Sequence, residues 1–281
     1  MAYLLFILRR KIKMKCAFLI CIYRNDNVEH LKEALFSVRS AAEKAGNEAR
    51  IYIHVDGEVS QEHLGAVDSC NPYKVVKSEK NVGLAIGLNK LIANLEGEDY
   101  IFRMDADDIC CRDRISLQLD YMEDNPEVDL VGGAIDEFVG DIANVVAHRD
   151  YPNVALASYL PKGSPFAHVT VCFRGGFFDK FGCYPTDYPL NEDIALWGEA
   201  LINGAVGHNI TSTLVQVRMD GAYSRRTLKK AKSELKVYLR ICKKLKVFPF
   251  IPLARFGFRL MPVSLVGVFY RSSLRNKFLK S

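Results

Sequence analysis

Asp105-Ala106-Asp107-Asp108 places three carboxylates in four positions, directly after the apolar run Tyr100-Ile101-Phe102-Arg103-Met104. Like charges this close repel one another, and at the end of a buried strand such a cluster calls for a cation to neutralise it. Carboxylate oxygens are hard ligands suited to Mg2+ or Mn2+, which bind through one or two protein carboxylates together with the phosphates of a substrate. A solvated acidic turn capping the helix that begins near Asp113-Arg114 accounts for the same residues. The acids alone do not choose between the two.

The elements around them favour a site. Cys16-Ala17-Phe18-Leu19-Ile20-Cys21-Ile22 is a continuous apolar run of strand length, as expected of a strand buried on both faces. It ends in the polar loop Tyr23 to Asn27, followed by helical spacing at Leu31, Ala34, Leu35 and Val38 that stops at Gly46. A second strand, Ile51 to Val55, runs into Asp56-Gly57. A third, at Val75-Val76, leads to Lys80-Asn81-Val82-Gly83, and Leu84, Leu88, Leu91 and Leu95 then mark one face of a helix. The acidic loop follows the fourth strand. Alternating strands and helices of this kind predict a mostly parallel sheet flanked by helices, whose ligands bind beyond the carboxyl ends of the strands. All four polar loops belong to that rim. Further on, the spacing predicts a strand over Val169-Thr170-Val171-Cys172-Phe173, a helix opened by Asn191-Glu192-Asp193, and a last strand at Thr213 to Arg218.

At 281 residues, with 49% apolar and 25% charged, the chain has a globular composition and room for one catalytic domain with an appendage. Its net charge of +5 hides a split. Residues 218–281 carry 17 Lys or Arg against 2 acids, whereas the other 217 residues carry 21 against 31. An acidic body with a basic tail predicts an anionic partner for the tail. The eight cysteines form no CxxC pair, which excludes a zinc ribbon or thioredoxin-like motif and fits a reducing, cytoplasmic setting. Met1 to Leu8 is too short an apolar stretch to span a membrane, and its charges follow it, unlike a signal peptide. The first thirteen residues, ahead of Met14, are expected to be dispensable for the fold.

In order along the chain, the strand ending at Ile22-Tyr23, Val55-Asp56-Gly57, Asn81-Val82-Gly83-Leu84-Ala85, Met104 to Asp108 and Glu192-Asp193-Ile194-Ala195-Leu196-Trp197 resemble the inverting family 2 glycosyltransferases. Ser164-Pro165-Phe166-Ala167-His168 and Tyr223-Ser224-Arg225-Arg226 are similar to segments of bacterial enzymes that assemble O-antigen, capsule or exopolysaccharide. The resemblance covers roughly residues 15–226, and five ordered pieces are far more specific than any one. It implies an α/β, GT-A (Rossmann-like) fold with a catalytic domain over 14–217. The nucleotide-sugar half would be about 14–132 and the acceptor half about 133–217.

By position, the resemblance implies that Tyr23, Asp56, Asn81, Gly83 and Asp105 bind the nucleotide sugar and that Asp107 holds a divalent cation, Mn2+ or Mg2+. Asp193 would be the base that deprotonates the acceptor. The donor would be a nucleotide sugar, with UDP-sugar foremost, and the acceptor a lipid-diphosphate-linked saccharide. Glu192, His168, Trp197, Arg225 and Arg226 are candidate acceptor or phosphate contacts, and Arg218 a further phosphate contact. Ordinary roles compete for each: Asp-Gly is a strong turn pair, Glu192-Asp193 suits any helix N-terminus, and an isolated histidine is usually structural. The Gln-x-x-Arg-Trp motif and membrane spans of processive members are missing from the sequence, which predicts single additions.

Residues 227–246 read as a basic amphipathic helix, with Leu228, Ala231, Leu235, Tyr238, Cys242 and Leu245 on one side. Val247 to Tyr270 is apolar but broken by prolines and by Arg255 and Arg259, so it is expected to lie in a membrane interface, with Phe248, Phe250, Phe256, Phe258 and Phe269 in lipid. Residues 218–281 are thus a C-terminal membrane-associating extension that docks on an anionic membrane surface at the inner face of the cell membrane and binds no nucleic acid. Packing of the helix on the catalytic domain is the competing expectation. Two other classes fit less well. Haloacid dehalogenase-like phosphatases carry Asp-x-Asp on their first strand, and an EF-hand loop needs Gly and Glu where this chain has Cys110 and Ser116.

Overall fold

The computed structural model describes residues 14–220 and 227–260, so the expectations for residues 1–13, Arg225, Arg226 and Phe269 lie outside it. Four parallel strands form one half of the sheet: β1 (Lys15–Ile22), β2 (Glu48–Asp56), β3 (Lys74–Ser78) and β4 (Tyr100–Arg103), in the spatial order β3-β2-β1-β4. Helices α1 (Val28–Ala45), α2 (Gln61–Ser69) and α3 (Leu84–Ile92) connect them. The side chain of Asn27 caps α1 by accepting the N–H groups of Glu29 and His30, and Gly46 closes it in a left-handed conformation. The α3 helix ends at Ile92, so Leu95 falls just past it.

Alternate side chains of β1 enter different cores, which is why its sequence is apolar at every position. Phe18 and Ile20 pack with Leu31, Leu35 and Ile53 on one face of the sheet, while Leu19 packs with Leu88 and Leu91 on the other. The chain winds outward from β1 to β3 and then returns to β4 on the other side of β1. The carboxyl ends of β1 and β4 therefore flank the switch point where such sheets bind ligands.

Beyond β4 the sheet becomes mixed. It gains β5 (Ile109–Cys110), β6 (Leu130–Phe138), β7 (Val145–Arg149), β8 (Cys172–Arg174) and β9 (Gly207–Arg218). Between them lie α4 (Arg114–Asp124), α5 (Leu156–Tyr159), α6 (Phe177–Phe181) and α7 (Glu192–Ile202). The β8 strand is antiparallel to both β4 and β6, and β6 runs parallel to β9. The strand expected from Val169 begins only at Cys172. Thr170 donates its hydroxyl to the Ala167 carbonyl, and a 3-10 turn over His168–Thr170 takes the place of the first strand residues.

Two further helices, α8 (Leu228–Leu245) and α9 (Phe250–Leu260), complete the described chain. The apolar stripe of α8, including Ala231, Val237, Tyr238 and Ile241, is buried on the catalytic domain. This corrects the expectation that the stripe faces lipid: the hydrophobic effect has already been satisfied inside the protein. The contact is close, since a Cβ at Gly198 of α7 would lie 2.8 Å from the side chain of Ile241. Gly198→Leu is expected to destabilise the protein by about 1–3 kcal/mol through overpacking of this seam, read as a lower melting temperature. An unchanged melt would mean that the two helices separate without cost.

Candidate active site

Parallel pairing of β1, β2, β3 and β4 delivers their polar loops to one rim of the sheet. Asp56, the last residue of β2, accepts the N–H groups of Val82 and Gly83 at 2.7 and 2.9 Å. Its carboxylate thus fixes the loop that carries Asn81 and Gly83, and Asn81 in turn makes a long 3.5 Å contact to the Asp56 carbonyl. Gly57 turns the chain away at φ +85°, and a Cβ there would stand 2.9 Å from the Asn81 nitrogen. Gly57→Ala is expected to cost about 1–2 kcal/mol in calorimetric stability and to displace the 81–83 loop. The Tyr23 side chain is exposed at the rim, and its N–H donates to Asp26 at 2.8 Å.

The three acids of the 105–108 loop have different surroundings. Asp105 is paired with the guanidinium of Arg103, which is only 1% exposed. Asp107 is half-buried, and its carbonyl accepts a bond from Arg218 Nε at 3.2 Å. Asp108, 3% exposed, accepts the Arg218 backbone N–H at 2.8 Å, which ties the loop to the end of β9. Burial first, and then the charges of Asp105 and Asp107, push its carboxyl well above the usual carboxylate range. Across the rim Asp26 is pushed up to about 6, by burial and by the same two charges.

The loop gathers three carboxylates within four residues, and a donor set of carboxylate oxygens fits a hard cation. Among the described residues no three His, Cys, Asp or Glu side chains converge to cage one. Such a cation would have to be held by Asp107, with Asp105, while phosphate and water complete the shell in the manner of Mg2+ sites.

Asp193 lies in the first turn of α7, after the capping residue Asn191, whose amide donates to the carbonyls of Pro189 and Lys230. Burial raises the Asp193 carboxyl above its usual range. The N–H of Ile194 and the charge of Lys230 pull it back, and Asp105 adds to the rise. Asp193 is thus within electrostatic reach of Asp105 in the acidic loop. Glu192 is buried, with its carboxyl raised by burial and by Asp193.

Other candidates resolve differently. His168 bonds the Tyr184 hydroxyl at 2.8 Å and is pushed down to about 3 by burial and by Arg103, so it carries no charge with which to hold phosphate at neutral pH. Trp197 is 0% exposed and packs edge-on against Phe166, which corrects its candidacy as an acceptor contact: it has no surface to offer. Arg218 is committed internally to Glu33 at 2.6 Å and to the carbonyls of Asp107 and Gly140, so it braces β9 and does not form a phosphate fork.

The structure also brings in residues that sequence reasoning passed over, namely Arg103, Asp26, Tyr184 and Lys230. Arg103 carried a signal, being a charge within an apolar strand run, where burial demands a partner. Lys230 carried none, because its neighbour Asp193 is close only through the packing of α8 on α7.

The family model for Glycosyl transferase family 2 matches residues 18–183. A Haemophilus influenzae protein described as an uncharacterized glycosyltransferase is 33% identical, covering 93% of this chain and 100% of its own. The Escherichia coli UDP-Gal:alpha-D-GlcNAc-diphosphoundecaprenol beta-1,3-galactosyltransferase is 31% identical, covering 93% and 97%. The amylovoran biosynthesis glycosyltransferase AmsE of Erwinia amylovora is 33% identical, covering 90% and 96%. Among solved structures, the mannosyltransferase PcManGT from Pyrobaculum calidifontis in complex with GDP-Man and Mn2+ superposes with a TM-score of 0.64 at 15% identity, covering 96% of this chain and 79% of that one. S. aureus TarS 1-349 in complex with UDP-GlcNAc superposes with a TM-score of 0.61 at 16% identity, covering 88% and 72%. These neighbours share the GT-A fold, and with the motif order, the sheet and the acidic rim in agreement, the chain belongs to glycosyl transferase family 2.

Proposed function

We propose that this glycosyltransferase moves a sugar from a UDP-sugar to a saccharide carried on a lipid diphosphate, with inversion, in the assembly of a bacterial surface polysaccharide. The observation that carries the reading is the gathering of the Asp56, Asn81 to Gly83 and Asp105 to Asp108 loops on one rim by the parallel pairing of β1 to β4, with Asp193 within electrostatic reach of Asp105. The galactosyltransferase relative, matched over nearly its whole length, supports the lipid-diphosphate acceptor.

In this reading Tyr23, Asp56, Asn81 and Gly83 form the base and ribose side of the donor pocket, with Asp56 acting mainly by holding the 81–83 loop. A divalent cation held by Asp107, with Asp105, supplies Lewis-acid stabilisation of the departing diphosphate. Asp193 accepts the proton of the acceptor hydroxyl, and Lys230 keeps enough of it ionised to do so. One displacement of this kind inverts the anomeric centre. Arg103 orients Asp105 from beneath the loop. Since the acceptor is a lipid, the enzyme works as a peripheral protein at the inner face of the membrane. Incubation with a panel of UDP-sugars, Mn2+ and lipid-diphosphate saccharides should release UDP only when donor, acceptor and cation are all present. Release that persists without the cation would overturn the metal assignment.

A further inference from the structure

The α9 helix is amphipathic with its polarity reversed. Arg255 and Arg259, its two charged residues, turn inward and converge on Glu234 of α8, at 3.5 and 2.7 Å. Arg255 also donates to the Lys162 carbonyl at 2.6 Å. Pro252 is buried and Phe256 half-buried on the same inward side. The outward half carries Phe250, Ile251, Leu253, Ala254, Gly257 and Leu260, all exposed and none polar. Phe250 is 70% exposed, and Phe248 in the preceding turn is 79% exposed. A contiguous apolar face of this kind marks an interaction surface.

We infer that this outward face of α9, with Phe248, is a docking surface for the anionic membrane in which the proposed lipid-linked acceptor resides, an inference that rests on the reading above for why the enzyme meets lipid. The choice of occupant follows from charge. The exposed lysines Lys243 and Lys246 stand immediately before Phe248, and from residue 218 onward basic residues outnumber acids 17 to 2. A second copy docked face to face would bring these like charges together, whereas anionic headgroups neutralise them. The helix has 11 residues, about 16 Å at 1.5 Å per residue, too short to cross a bilayer and suited to lying in its interface. Among the described residues no helix is long and apolar enough to span. The Glu234 clasp then fixes the membrane plane relative to the catalytic domain, because α8 is itself packed on α7.

The test is flotation of the full-length protein with vesicles of phosphatidylcholine alone or containing phosphatidylglycerol, with no nucleotide sugar present. Wild type should bind the anionic vesicles and be weakened by salt. Phe250→Ser combined with Leu253→Ser should lower binding at least about tenfold while the melting curve stays unchanged, since both side chains are exposed. Equal vesicle binding by wild type and variant, or no binding by wild type, overturns the inference. So does a wild-type dimer in sedimentation equilibrium that the double variant dissociates, which would assign the face to a second copy. Vesicle binding here, together with no UDP release in the separate incubation with UDP-sugars, Mn2+ and lipid-diphosphate saccharides, would leave the docking face standing and overturn the reading of donor and acceptor instead.

Discussion

Asp193→Asn is expected to lower kcat by about 10²–10⁴-fold, the usual contribution of a positioned base, while the protein stays folded and still binds its nucleotide sugar. The amide keeps the shape of the side chain and its place in the first turn of α7 but cannot accept the proton. The pH profile gives an independent readout. Burial and Asp105 raise the Asp193 carboxyl above the usual range, so the fraction ionised, and with it kcat, should fall with decreasing pH at a higher pH than for an ordinary aspartate. Lys230 holds the carboxyl down, so Lys230→Met should move that acid limb further up without changing the alkaline side. Full turnover by Asp193→Asn, or an acid limb that ignores Lys230, would remove Asp193 from the mechanism.

Asp107→Asn should reduce kcat/KM on the order of 10²–10³-fold, the few kcal/mol that cation stabilisation of a leaving group supplies. The loss should come mainly through the cation. Titration calorimetry of UDP in Mn2+ should show weakened binding in the variant, while binding in chelator should match wild type. Asp108→Asn is a useful contrast. Asp108 is buried and bonded to the backbone of Arg218, so its substitution should change stability more than metal dependence. An Asp107→Asn protein with an unaltered Mn2+ requirement would move the cation elsewhere.

Much of the placement of the candidate site residues was legible in the chain. The acidic loop, Asp56-Gly57, Asn81 to Gly83 and Glu192-Asp193 are short segments at strand ends or helix starts, where type and spacing are governed by local rules. Their gathering on one rim followed from the alternation of strands and helices, and the parallel pairing of β1 to β4 matches it. Other roles were not legible. Arg218 read as a phosphate contact, yet Glu33 and two carbonyls consume its guanidinium. Trp197 read as a candidate acceptor contact, and only Phe166 and the packing around it place it in the core.

The sequence by itself determined the order of strands, helices and polar loops in the parallel half, and the family to which the chain belongs, because periodicity, caps and turn residues act over a few positions. Tertiary structure alone decided how each acid of the 105–108 loop is buried and bonded, and which side of each C-terminal helix is covered. A helical period reveals that a stripe exists but not what covers it. In α8 the apolar stripe is taken by α7, and in α9 the arginines are drawn inward by Glu234, leaving Phe250, Leu253 and Leu260 outside. Burial and charge pairing depend on partners distant in the chain, and those partners become neighbours only when the whole fold has formed.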